Sequence, residues 1–217
     1  MESGKLMAAA VLNLIIVALQ LRVLRRIVHK KDILKYYTYL SNVIALIGSA
    51  IFAVVAIRNL ISGDPVPIWL KGLRFTGTYM LVTTMFVFSF VLLPGQNGEN
   101  LITASDFRGI KPEYANLVLH YLCPIISACS LILLERKPVL EGSEWTLYAA
   151  IPTLVYWAMY LLLTACNLWK DPYGFSAPSQ KSSTIGTAIA GVLMFLLIPA
   201  LSMGLDYLLW WLNTLNF

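Results

Sequence analysis

Apolar and polar positions along this chain are segregated into blocks: six stretches are almost free of charge, and the charged residues gather between them. The stretches are Leu6 to Leu21, Tyr36 to Ile57, Phe75 to Leu93, Tyr114 to Leu134, Trp145 to Trp169, and Ser182 to Leu205, the last running past Asp206 into an aromatic tail. A helix needs about 20 mostly apolar residues to cross a hydrocarbon core of about 30 Å, which is the length these blocks reach. The pattern therefore predicts an all-α fold, a single domain over 1–217, built as one bundle of six transmembrane helices. Their bounds are expected at about 6–28, 36–61, 73–93, 113–134, 145–169 and 182–212. Short connectors with turn chemistry separate them: Ser62-Gly63-Asp64-Pro65, Pro94-Gly95-Gln96-Asn97-Gly98, Lys137-Pro138 and Asp171-Pro172-Tyr173-Gly174. The first block is followed by Arg22, Arg25, Arg26, Lys30, Lys31 and Lys35, whereas a secretory signal carries its positive charge in front, so this block is expected to stay as a helix.

Within the blocks, small residues recur four apart: Ala45, Ser49 and Ala53 in the second helix, Gly186 with Ala190 and Thr187 with Gly191 in the sixth. In lipid such rows let two backbones approach closely. Trp69, Trp145, Trp169, Trp210 and Trp211 fall at block ends, where an amphipathic ring suits the membrane interface.

Composition removes the alternative of a soluble domain. Of 217 residues 59% are hydrophobic and only 12% charged, and the mean hydropathy is +0.73, whereas a soluble domain has about 25% charged residues. The net charge of +5 is not a nucleic-acid footprint, because much of it lies in one inter-helix segment. It is read instead as topology. Arg22, Arg25, Arg26, Lys30, Lys31, Lys35, Arg108, Lys111, Lys170 and Lys181 fall on one side of a six-crossing chain; Lys5, Arg58, Lys71, Arg74, Arg136 and Lys137 fall on the other. The positive-inside rule puts the richer side in the cytoplasm and both termini outside. With two histidines in total, His29 and His120, in separate segments, no metal site can be assembled from recognisable parts, and no metal or cofactor is expected. Cys123, Cys129 and Cys166 all sit inside apolar blocks and give no disulfide pattern.

Two polar features stand out against the apolar background. His120 lies in the fourth block, with Asn116 one turn before it and Pro124 one turn after. An ionisable group inside a membrane is a functional candidate by default, although a neutral histidine bridging two helices is an equal alternative. Pro124 has no amide hydrogen for the carbonyl of His120, so a bend at the histidine is expected. The second block opens Tyr36-Tyr37-Thr38-Tyr39-Leu40-Ser41-Asn42, where Thr38, Ser41 and Asn42 form one polar stripe. Taken alone, a membrane threonine most often bonds back to the carbonyl four residues earlier. Counting from Lys35 and Glu113, Thr38 and His120 lie roughly 5 and 10 Å below the same membrane face, and a helix tilt of about 20° absorbs the difference.

Y-Y-T-x-x-S-N opening the second helix, H-Y-x-x-P in the fourth and W-x-D-P-Y-G-F after the fifth resemble the six-helix family of androgen-induced membrane hydrolases and its bacterial relatives. The resemblance implies an intramembrane threonine hydrolase of fatty-acid esters of hydroxy fatty acids, with Thr38 as nucleophile and His120 as base. It also implies a multi-pass protein of the bacterial cytoplasmic membrane, with membrane lipids and a fatty-acyl ester as partners. D-P-Y-G-F stands where a Y-P-F-like pattern is expected. By helical spacing Ser41, Asn42 and Asn116 are candidate oxyanion donors, and Tyr160, Thr164 and Asn167 candidate pocket residues. No acid is expected deep in the helices, which leaves Glu113, Asp171 or Asp106 to orient the imidazole. The alternative function is a non-catalytic lipid-binding or carrier protein, in which Thr38 and His120 hold a polar headgroup.

Overall fold

The computed structural model describes residues 3–27, 35–92, 110–135, 144–169 and 200–215, and among these the chain is helical, with no strand. The helices are α1 (Ser3–Ile27), α2 (Tyr37–Ser62), α3 (Ile68–Val87, continued by a wider turn Phe88–Leu92), α4 (Pro112–Leu134), α5 (Glu144–Ala165) and α6 (residues 200–214). Four of them, α1, α2, α4 and α5, are long and apolar enough to cross a membrane, as in an integral membrane protein. Their outer faces carry exposed Val54, Ile61, Leu147 and Leu162. Apolar faces of this extent need lipid or protein against them.

Local chemistry sets the helix ends. α2 begins after Tyr36, whose backbone is extended, and stops at Gly63, which takes the left-handed conformation at φ 76° and returns its amide to the Asn59 carbonyl. α3 begins at Ile68, earlier than the expected 73, because Pro67 (φ −59°, ψ 142°) delivers the chain in an extended conformation directly into the first turn. α5 stops at Ala165, short of the expected 169; Asn167 sits just beyond at φ 57° and caps the end. Of the sixth expected helix, residues 182–199 lie outside the described residues, as do the small-residue row Gly186 to Gly191 and the Asp171 to Phe175 motif. Arg74, counted by sequence among the connector charges, lies inside α3 and is buried.

α3 is the central strut. It packs against α2, α4 and α5, and reaches α6 through a hydrogen bond between Tyr79 and Ser202. The α2–α3 seam is tight because the residues facing it are small: a Cβ added to Gly77 would stand 3.0 Å from the Cα of Ala45, and Ser49 and Ala53 are fully buried. Across α3, the ring of Trp145 covers Gly72 so closely that a Cβ there would come within 2.7 Å of it. α1 runs antiparallel to α2, with Ala9 and Ala10 beside Phe52 and Ala56 at one end, and Ile16 and Val23 beside Tyr39 and Ala45 toward the other.

α4 departs from regular winding. Wider π turns at Val118–Leu122 and Ser130–Leu134 interrupt it. The first follows from Pro124. The amide of Cys123 bonds the carbonyl of Val118, five residues back. In that register the next donor would be Pro124, serving Leu119, and proline has no hydrogen to give. A side chain fills the role: Asn42 Nδ2 donates to the Leu119 carbonyl at 3.4 Å. The proline thus acts as expected in breaking the ladder beside His120, but the carbonyl served from outside belongs to Leu119.

Candidate active site

Thr38 occupies the first turn of α2, and His120 the first π turn of α4. Their side chains meet: Thr38 Oγ1 lies 3.3 Å from His120 Nε2. The other ring nitrogen, Nδ1, lies 3.2 Å from the carbonyl oxygen of Asn116. A carbonyl only accepts, so Nδ1 carries the ring hydrogen and Nε2 turns its lone pair toward the threonine hydroxyl. The ring is 3% exposed and stacks on Phe88, with centroids 3.9 Å apart at 21°. Phe88 itself opens the π turn of α3, so two wide turns from neighbouring helices clamp the imidazole.

A backbone carbonyl therefore orients the ring. Glu113 is exposed at the start of α4, and Asp106 and Asp171 lie outside the described residues. Asn116 contributes through its main chain, while its side-chain oxygen is buried with no hydrogen-bond partner among the described residues.

Ser41 and Asn42 do not aim at the Thr38 hydroxyl. Asn42 Nδ2 donates to the Thr38 carbonyl at 2.7 Å and to that of Leu119 at 3.4 Å, and its Oδ1 accepts from Gln20 Nε2 at 2.9 Å. Ser41 Oγ donates to the same Thr38 carbonyl at 2.9 Å and sits 2.7 Å from Thr84 Oγ1. Both side chains brace the turn that carries Thr38, and their donors are committed. Tyr160 is fully buried in an aromatic cluster with Tyr37, Tyr156 and Trp157; Thr164 has a buried hydroxyl without a partner among the described residues; Asn167 is exposed at the end of α5. None of these three makes a described hydrogen bond to Thr38 or His120.

No family model, curated protein or solved structure matches the chain.

A second polar centre lies toward the opposite end of α4. Arg74 Nη1 donates to Thr78 Oγ1 and to Ser127 Oγ, each at 2.6 Å, while Nη2 donates to the Ser127 carbonyl at 3.3 Å and pairs with Glu135 Oε1 at 3.2 Å. Ser130 Oγ donates to the same Glu135 oxygen at 2.6 Å, and Asn13 Nδ2 approaches it at 3.3 Å. The cue missed in the sequence is the pair Asn13 and Gln20, seven apart and hence on one face of an otherwise apolar helix. Each anchors one of the two polar centres. A further departure from expectation is Asp206, an acid 1% exposed in the middle of α6.

Proposed function

We propose that this chain is an intramembrane hydrolase of fatty-acyl esters, akin to the androgen-induced membrane hydrolases it resembles. In this reading it is a multi-pass bundle of six crossings in the cytoplasmic membrane of a bacterium, with both termini outside. The observation that carries the reading is the 3.3 Å contact between Thr38 Oγ1 and an imidazole whose other nitrogen is held by a carbonyl. A threonine hydroxyl is a poor nucleophile until a base within hydrogen-bond reach removes its proton. His120 Nε2 takes that proton as Oγ1 attacks the ester carbonyl carbon. The tetrahedral intermediate collapses, the imidazolium gives its proton to the departing alkoxide, and the acyl group remains on Thr38. Water then attacks the acyl-threonine, its proton passing to Nε2 and on to Oγ1, which releases the fatty acid and restores both groups.

Thr38 lies at the N-terminal end of a helix, where backbone amides lack intrahelical acceptors and partial positive charge collects. Negative charge developing on Oγ1 or on the substrate oxygen is favoured there. An apolar groove of about 340 Å³ between α3 and α6, lined by Thr83, Phe86, Val87, Phe90, Leu201, Ser202 and Leu205 and by neither Thr38 nor His120, has the size and character to take an acyl chain. Orientation rests on the charge bias, which strengthens once Arg74 is withdrawn as a buried residue: ten basic residues on one side against the six of the other less one, namely five.

A lipid-binding or carrier role is the second reading, and one observation favours it: the side-chain donors nearest Thr38 are already spent on carbonyls. The two readings part on covalent labelling. The purified protein in detergent is exposed to a fluorophosphonate ester probe beside Thr38→Ala and His120→Ala. Labelling of the wild type that is lost in both variants supports the hydrolase; equal labelling of all three, with lipid still bound, supports the carrier.

A further inference from the structure

The imidazole of His120 rests on the face of Phe88, with ring centroids 3.9 Å apart and planes 21° from parallel. Two uncharged aromatic rings avoid such close face-on contact, because each presents a negative face to the other; they settle offset or edge-to-face at about 4.5–7 Å. A cation over the same face is attracted to it. The arrangement is held from both helices. Phe88 is buried and meets the ring of Tyr121 nearly at right angles, with centroids 5.9 Å apart at 80°, and Ser89 Oγ donates to the Tyr121 hydroxyl at 3.2 Å. Neighbouring residues of the two π turns, Phe88 with Ser89 and His120 with Tyr121, thus lock one pair of rings against the other.

An acid behind a catalytic base has two duties: it fixes the ring, and it offsets the positive charge that the ring acquires with the proton. Here the Asn116 carbonyl performs the first without bringing a net charge. Among the described residues no acid performs the second. Helices α1, α2 and α3, which pack against this turn, contain no acid, and their charged residues are all basic. Of the acids elsewhere, Asp64, Glu113 and Glu144 are exposed, Glu135 pairs with Arg74, and Asp206 on α6 bonds neither ring nitrogen. A cation shielded from water is costly without a partner. The face of Phe88 is the contact that gains as imidazole becomes imidazolium.

We infer that Phe88 is a positioning residue for the reaction: its π face stabilises the imidazolium that forms as His120 Nε2 takes the proton of Thr38, in the role an acid would fill. The inference rests on the hydrolase reading. It adds an interaction stronger in the transition state than in the resting enzyme, which is the kind that raises turnover. The test replaces Phe88 by mono-, di- and trifluorophenylalanine, which withdraw charge stepwise from the ring face while nearly keeping its shape. Hydrolysis of a long-chain p-nitrophenyl ester is followed with the purified protein in detergent; where ester turnover is too slow to follow, the rate of fluorophosphonate labelling is read in its place. The rate is expected to fall with each fluorine, by about tenfold over the series, with KM and the unfolding temperature close to those of the wild type. Phe88→Leu, apolar but without π electrons, should lose at least as much as the trifluoro variant. A rate that stays level across the fluorinated series overturns the inference even if Phe88→Leu is slow, since packing alone is then at work. A wild type that neither hydrolyses the ester nor takes the fluorophosphonate overturns the hydrolase reading and this inference with it, whereas an active wild type with a level series overturns this inference alone.

Discussion

The two polar centres along α4 are built from similar materials and end in opposite conditions. Around Arg74 and Glu135, two charges and four neutral side chains from α1, α3 and α4 are bound almost entirely to one another. Around Thr38 and His120, the donors of Ser41, Asn42 and Gln20 are committed, yet the central pair is joined by one long contact of 3.3 Å. Buried charges persist only when paired and hydrogen-bonded, so the first centre is tied down for the sake of the fold. In the second, the donors of Ser41, Asn42 and Gln20 and the main-chain carbonyl of Asn116 hold still two atoms that retain the ability to exchange a proton. Commitment of the donors around a pair, rather than of the pair itself, is what separates positioning from anchoring.

Breaking the comparison from its reactive side gives the largest effect. His120→Ala should lower ester hydrolysis by about 10²- to 10⁴-fold, the range for losing a positioned base, with Thr38→Ala at least as severe. Both should unfold near the wild-type temperature in a thermal melt. From the anchoring side, Arg74→Met should cost about 3–5 kcal/mol of stability by leaving Glu135 buried without its partner. In lipid-matched chemical denaturation the double variant Arg74→Met with Glu135→Leu should recover most of that loss, and turnover per folded molecule should stay near the wild-type value in both. Asn42→Leu sits between the two centres in character. It removes the donor to two carbonyls and should cost about 1–3 kcal/mol, with a fall in kcat larger than the change in KM because Thr38 loses its brace. The smallest effect on turnover is expected for Gly77→Ala, where a methyl meets backbone at 3.0 Å; overpacking of this kind costs about 1–3 kcal/mol of stability. Its kcat should not move, since the α2–α3 seam at Ala45 lies two turns from Thr38.

Much of the helical plan was legible because hydrocarbon imposes its length on any helix that crosses it, and charged residues mark the breaks. Thr38 and His120 could be expected at neighbouring depths along their helices by counting residues, since rise per residue is constant. What counting could not supply was rotation. The direction in which Asn42 and Ser41 point depends on the helices packed beside them, and their hydrogen bonds go to backbone that carries no sequence signature. Arg74 looked like a connector charge because it lies next to the end of an apolar block, and only packing across α3 and α4 reveals its buried pairing with Glu135. Asp206 was visible as an interruption in the last block, but its enclosure depends on α3, which no local pattern announces.

The wide turn ahead of Pro124 carries a consequence for angular phase. It accommodates one residue more than a regular turn, so the part of α4 before it is rotated by about 100° relative to the part after. Removing a single residue there, Leu122 for instance, would rewind the helix, swinging the imidazole away from the threonine while Ser127 stayed against the guanidinium. The helix is thus one codon away from a winding in which the hydroxyl and the imidazole no longer meet.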